Sequence, residues 1–230
     1  MSARSEVDVW PDGRECAVSL TYDGVLGEHL STVVPLLNDL NLKGTFFASP
    51  TRILDDPLGW RKVAETHELG NHSLYGVADG GTLLNWDIAM VEADIKVTNS
   101  LMAEIIGQVC KSFALPGWST ACAQGDYLPT VQRLLPYVRS ERREMNDWKS
   151  SDLGYLGSYP LEQIDCTKLV QQARKKKSWV VFRVGSLEDA VKHERTLKGF
   201  AAAKHDIWIA PFGEVASRVS SLRAAQELTR

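Results

Sequence analysis

Apolar runs and amphipathic stretches alternate along the chain. Seven short runs rich in β-branched and aromatic residues read as strands, at 16–21, 44–48, 68–72, 112–115, 137–140, 179–184 and 207–210. Several are apolar almost without interruption, the pattern of parallel strands covered on both faces. Between them, helical spacing predicts helices at 28–40, 59–67, 86–106, 127–134, 167–175, 187–204 and 213–222. The third is the clearest: Ile88, Val91, Ile95, Leu101 and Ile105 recur close to helical spacing, and Asn85 stands where a cap belongs. Seven strand–helix pairs predict a parallel α/β domain, either a closed or partly closed barrel or an open doubly wound sheet. The longest irregular stretch, 141–163, carries Trp148, Tyr155 and Tyr159 and is expected to rim a functional site.

Length and composition narrow the picture. At 230 residues one large domain is expected over 1–230, with 1–14 as an N-terminal extension. A net charge of -3 gives no reason to expect nucleic acid or a membrane surface as partner. The basic run Arg174-Lys175-Lys176-Lys177 falls where a helix should end, and the helix dipole accounts for it. No run approaches the roughly 20 apolar residues of a membrane span. The first dozen residues lack a signal-like apolar stretch, and the four cysteines form no CxxC pair, so reduced thiols and a cytoplasmic location are expected. Oligomeric state leaves no trace in the sequence.

Chemistry concentrates at two strand ends. Asp23 closes the first run in Leu20-Thr21-Tyr22-Asp23-Gly24 and could serve as a general base, although Asp-Gly is also a common turn dipeptide. His72 closes the third run in Gly70-Asn71-His72-Ser73, as a ligand or as a hydrogen-bonded structural residue. A carboxylate and an imidazole on separate strand tips is how a barrel enzyme gathers one site. His29, six residues after Asp23, could point into the same cleft; His67, His193 and His205 fall at or inside predicted helices and offer little. Phe113-Ala114-Leu115-Pro116-Gly117-Trp118 ends a strand with a rigid turn and an aromatic suited to stacking on a sugar, and Asp147-Trp148 repeats the theme in the long loop. No P-loop, GxGxxG or GxSxG motif is present, which leaves nucleotide binding and serine hydrolysis without support.

Taken together these segments resemble the polysaccharide deacetylase family, the NodB-homology carbohydrate esterases (carbohydrate esterase 4-like). The likeness runs through Ser19–Asp23, Leu42-Lys43-Gly44-Thr45-Phe46-Phe47, His67–Leu74, Phe113–Pro116, Trp179–Phe182 and Ile207–Ala216. It implies a distorted (β/α) barrel of about seven parallel strands. It also implies Asp23 as general base, His72 as a ligand of a zinc-like divalent ion, and a carbohydrate or small acetylated or amide substrate. Tyr22, His29, Pro116, Trp118 and Trp148 are then candidate substrate contacts. The departures are specific. Gly24 stands where the family has an aspartate ligand, and Gly76 where it has a second histidine. The late histidine is missing from Phe182-Arg183-Val184-Gly185-Ser186, and the third-motif arginine from Cys110-Lys111-Ser112. One retained ligand cannot hold an ion that needs about three; Asp79 and Asp23 could supply oxygens if the loop folded back.

Three functions follow. The first is hydrolysis of a non-peptide C–N or acetyl ester bond with Asp23 as base. The second is a catalytically inactive carbohydrate-binding pseudoenzyme. The third is a metal-independent amidohydrolase acting on a small amide or ureide, with Asp23 and His72 as an acid–base pair.

Overall fold

The architecture was obtained as a computed structural model, and describes residues 8–24, 27–74, 81–185, 187 and 190–228. The strands are β1 (Cys16–Asp23), β2 (Thr45–Ala48), β3 (Glu68–Asn71), β4 (Ser112–Ala114), β5 (Ala121–Cys122), β6 (Gly125–Asp126), β7 (Tyr137–Arg139), β8 (Tyr159–Pro160), β9 (Trp179–Val184) and β10 (Ile207–Ile209). The helices are α1 (Val34–Asp39), α2 (Pro50–Ile53), α3 (Pro57–Val63), α4 (Ile88–Ile106), α5 (Leu128–Leu134), α6 (Cys166–Lys176), α7 (Ala190–Ala203) and α8 (Phe212–Leu228).

The main sheet runs β7-β4-β3-β2-β1-β9-β8 and its strand pairs are parallel. β1 also pairs with β10 over Cys16–Val18, before it meets β2 over Thr21–Asp23. β5 and β6 form a separate antiparallel hairpin. The sheet curls until its ends are bridged. Leu156 pairs with Arg139 at one edge, and Tyr159 pairs with Phe182 at the other. The stretch 141–163, expected to rim the site, does two things: Leu156 and Tyr159 close the barrel, and Glu141, Pro160, Leu161, Glu162 and Gln163 line a cleft shared with Asp23.

Alternation along β1 separates two interiors. Cys16, Val18, Leu20 and Tyr22 face outward into a core shared with α1, α3, α4, α6 and α7. Ala17, Ser19, Thr21 and Asp23 are the opposite set, facing into the barrel. The lower barrel is apolar and plugged. Phe212, Val215 and Val219 of α8 meet Phe47, Trp179, Trp10 and Trp148 there, with the Trp179 and Phe212 rings 5.2 Å apart. Residues expected as an N-terminal extension belong to this plug: Trp10 is fully buried and its Nε1 donates to Lys177 O. The upper barrel is polar.

Two local expectations are corrected. α4 is capped by Asp87, whose carboxylate accepts from Met90 N at 2.7 Å, and not by Asn85. The helix expected at 28–40 begins as a π-helical turn, His29–Val33, before tightening into α1. Pro35 lacks the N–H that an α-turn would need there, and the widened turn accommodates the gap. Among the described residues no helix is long and apolar enough to cross a membrane.

Candidate functional site

Asp23 lies at the carboxyl end of β1, opposite Phe47 of β2. The chain turns away immediately: Gly24 adopts φ +81° and donates to Phe47 O at 3.0 Å. Facing inward, the Asp23 carboxylate meets Arg139, the last residue of β7, which reaches across the barrel over the Phe47 ring. Arg139 Nη2 donates to Asp23 Oδ2 at 2.7 Å and Nη1 to Thr21 Oγ1 at 3.2 Å. The guanidinium is 1% exposed and the carboxylate 17%, so this is an ion pair held almost out of water. Asp23 Oδ1 and Arg139 Nε have no hydrogen-bond partner among the described residues.

His72 follows β3, one strand beyond β2. Its Nδ1 donates to Ala114 O at 3.0 Å, which leaves Nε2 with a free lone pair. Burial lowers its basicity most; Asp23 opposes that shift and Arg139 adds to it, so the ring is held neutral. The turn carrying it is fixed from α4. Asp94 Oδ2 accepts from Leu74 N (2.9 Å) and Ser73 Oγ, and Asn71 Oδ1 accepts from Ser73 N, which allows Ser73 its φ of +67°.

On the other side of Asp23 stands Arg183 of β9, within the stretch 182–186 expected to offer the late histidine. Arg183 donates to Ser158 O and pairs with Glu141 at 3.4 Å. Desolvation lowers its pKa, with Glu141 opposing. Asp23, Glu141, Pro160, Leu161, Arg183 and Gly185 line a cleft of about 260 Å³. That is small even for a small-molecule site. Larger hollows of about 470 and 520 Å³ lie beside Glu68 at the opposite pole and between α6 and α7, away from every strand-end residue named here.

Several candidate contacts sit elsewhere. Tyr22 points outward by strand alternation, is fully buried, and its hydroxyl lies 3.2 Å from His193 Nε2. His29 is buried beside Tyr22, with ring centroids 5.6 Å apart, and its pKa is pushed down to about 4 by burial. Trp148 plugs the lower barrel, because Asn146 pairs with Trp179 at the start of β9. None of the three reaches the upper cleft. Pro116 and Trp118 do follow β4 at the correct end, Trp118 being 65% exposed. Asp79 and Gly76 lie outside the described residues.

The described residues of this site do not fit a divalent ion. Among the described residues no three His, Cys, Asp or Glu side chains converge. One oxygen of Asp23 is already taken by a guanidinium, whose positive charge would repel the ion. Arg139 is the principal residue that sequence reasoning missed. The arginine sought before Phe113 arrives instead from the next strand, Ser112 and Tyr137 being paired neighbours.

Residues 11–128, just over half the chain, match the polysaccharide deacetylase family. A gellan lyase of a Bacillus species is 30% identical over 113 residues, 49% of this chain but only 4% of that protein, so the chain spans a small fraction of its relative's length. A protein from Mycobacterium smegmatis, solved as a polysaccharide deacetylase, superposes with a TM-score of 0.69 at 15% identity, covering 93% of each chain. A pseudoenzyme of the same esterase family from Bacillus anthracis superposes with a TM-score of 0.54 at 14% identity, covering 90% of this chain and 66% of that one. At such identities the superpositions speak for the fold, a NodB-type (β/α) barrel. With the motif order and the family match, they establish that the chain belongs to the polysaccharide deacetylase family.

Proposed function

We propose that this chain is a metal-free, carbohydrate-binding member of the family, in which the upper cleft recognises an acetylated sugar without hydrolysing it. One observation carries the reading: among the described residues no three His, Cys, Asp or Glu side chains converge to hold an ion beside Asp23. With no ion to polarise the acyl oxygen, the site lacks the electrophilic half of a deacetylation. What the cleft keeps is the Asp23, Glu141 and Glu162 carboxylates and the Arg183 guanidinium, a set suited to hydroxyl and acetamide groups. The pseudoenzyme of Bacillus anthracis is a precedent on this fold for a member without the enzymatic activity. Calorimetric titration with N-acetylated and de-N-acetylated sugars tests it. Binding selective for the acetylated form, insensitive to chelator and without acetate release, is expected. Chelator-sensitive acetate release would overturn it.

A second reading rests on the unpartnered Asp23 Oδ1 and the free lone pair of His72 Nε2. Here Asp23 takes a proton from water and hydroxide adds to the amide carbon; the C–N bond then breaks as that proton, relayed by His72, passes to the leaving nitrogen. Chelator-insensitive turnover abolished by Asp23→Asn would establish this reading over the first.

A further inference from the structure

We infer that the hollow between α6 and α7 is a second binding site, for a small amphiphile with an apolar chain and one carboxylate. It does not rest on the carbohydrate-binding reading above. The hollow holds about 520 Å³, within the range of about 300–1,000 Å³ that small-ligand sites occupy. Of the described residues Leu161 alone lines both this hollow and the cleft at Asp23, and it is buried between them. The two spaces are therefore separate sites.

The α7 wall is built along one helical face. Lys192, Arg195, Gly199 and Ala203 follow helical spacing and line the hollow, while His193 and Leu197 turn into the core. Along that face the side chains shrink from two cations to glycine and alanine. Gly199 answers no packing demand, because a Cβ there would meet nothing within 4 Å. Its backbone is helical, where glycine weakens the element rather than serving it. What it leaves is open space beside an apolar floor: Val170, Phe200 and Ile207 are buried there, in the core that both helices share.

Charge distinguishes the two ends of this face. Lys192 and Arg195 stand one turn apart, a spacing at which like charges repel. The other one-turn neighbours of Arg195 are Val191, Lys198 and Gly199, so α7 supplies it with no carboxylate at that spacing. Among the described residues none pairs with it from elsewhere. The remaining charges around the hollow are already engaged. Asp165 caps α6, its Oδ1 accepting from Lys168 N at 3.0 Å, and Arg174 pairs with Glu15 and Asp206. A carboxylate between Lys192 and Arg195 would relieve their repulsion. Its chain would then run past Gly199 toward Ala203, about 12 Å further along the helix at 1.5 Å per residue. Complementary charge at one end and an apolar trough beyond it define the ligand class.

Isothermal titration of the whole chain with decanoate and with decylammonium, both below their micellar concentrations, tests this. Wild type should bind decanoate at least tenfold tighter than decylammonium. Gly199→Leu fills the trough with a better helix former, so it should abolish decanoate binding without lowering the melting temperature. Arg195→Glu, at an exposed position, should reverse the preference between the two ions. Failure of wild type to bind decanoate overturns the inference, and so does equal affinity for the two ions. Decanoate binding that survives Gly199→Leu overturns it as well. A wild-type dimer in sedimentation that Gly199→Leu dissociates would also overturn it, by making a second copy of the chain the occupant.

Discussion

Replacing Arg139 with leucine strips a buried carboxylate of its counter-charge. The charge centres of the Arg139–Asp23 pair are about 4 Å apart, and at an effective dielectric constant of about 20 their attraction is about 4 kcal/mol. The contact is 2.7 Å between atoms that are 1% and 17% exposed, so little of that is screened away. Arg139→Leu also removes the donor to Thr21, worth about 1 kcal/mol. Each single variant, Arg139→Leu or Asp23→Leu, should therefore lose about 3–5 kcal/mol, because each strands an uncompensated charge. The double variant strands none. It should be far more stable than the sum of the singles implies, with a coupling energy of about 3 kcal/mol. Equilibrium urea unfolding of the four proteins measures this directly, and thermal midpoints should fall by roughly 2–4 °C for each kcal/mol lost. Additive losses, with coupling under about 1 kcal/mol, would mean that the pair behaves like a solvated surface contact. The argument that Asp23 is committed to Arg139 would then collapse.

Acid should destabilise the fold through its histidines. Burial pushes His29, His67 and His193 down to about 4 from an ordinary 6.5. Their contribution is intact above pH 6.5 and is lost as the pH falls from 6.5 to 4, where the unfolded chain takes up protons that the folded chain refuses. At pH 5 each costs about 2 kcal/mol. His193→Gln should lose correspondingly less stability than wild type between pH 7.5 and 5; equal losses would refute the assignment. Glu68 and Asp94, raised by burial, act in the opposite direction, so the difference between proteins is the quantity to read. Gly213→Ala should cost about 1–3 kcal/mol in unfolding free energy, because a Cβ there would lie 2.5 Å from Glu68 Oε1 and spoil the bond from Gly213 N. Gly24→Asp should cost about 1 kcal/mol at φ +81°, and added zinc should leave its melting temperature unmoved. A large zinc-dependent rise would show that the remaining ligands are present after all.

Much of the fold is legible in the chain because parallel strands buried on both faces write themselves as short apolar runs. Each of the seven expected strands appears within two residues of its place, 179–184 to the residue. What escaped was too short to have a period: the two-residue β8, the β5–β6 hairpin and the four-residue α2. The site was legible only at its ends. Asp23 and His72 are flagged by strand tips. Once Asp23 faces the barrel, however, its neighbour Tyr22 must face the helices, and that alternation could have removed Tyr22 from the candidates. Arg139 is 116 residues from Asp23, and no local pattern links them. Its signal is weaker, a lone cation closing the run Tyr137-Val138-Arg139-Ser140. His193, among lysines and glutamates, looked like helix surface; only the tertiary contact with Tyr22 buries it.

The substitutions at this end of the barrel agree with one another. A metal site concentrates positive charge on an ion and gathers negative and neutral ligands around it. Here the positive charge is carried by side chains: Arg139 against Asp23, and Arg183 against Glu141. Glycine at position 24 removes one anionic ligand, and its left-handed backbone would strain any replacement. The two ion pairs neutralise themselves, and the cleft they border is lined by Asp23, Glu141, Glu162 and Arg183, with open space beside Gly185. Guanidiniums are fixed and planar, and they donate hydrogen bonds without polarising an acyl group as an ion does. Such a site is better suited to holding a polar ligand than to cleaving it. On the reading proposed above, a ligand returned at position 24 alone would still face a cleft whose counter-charge is built into two strands.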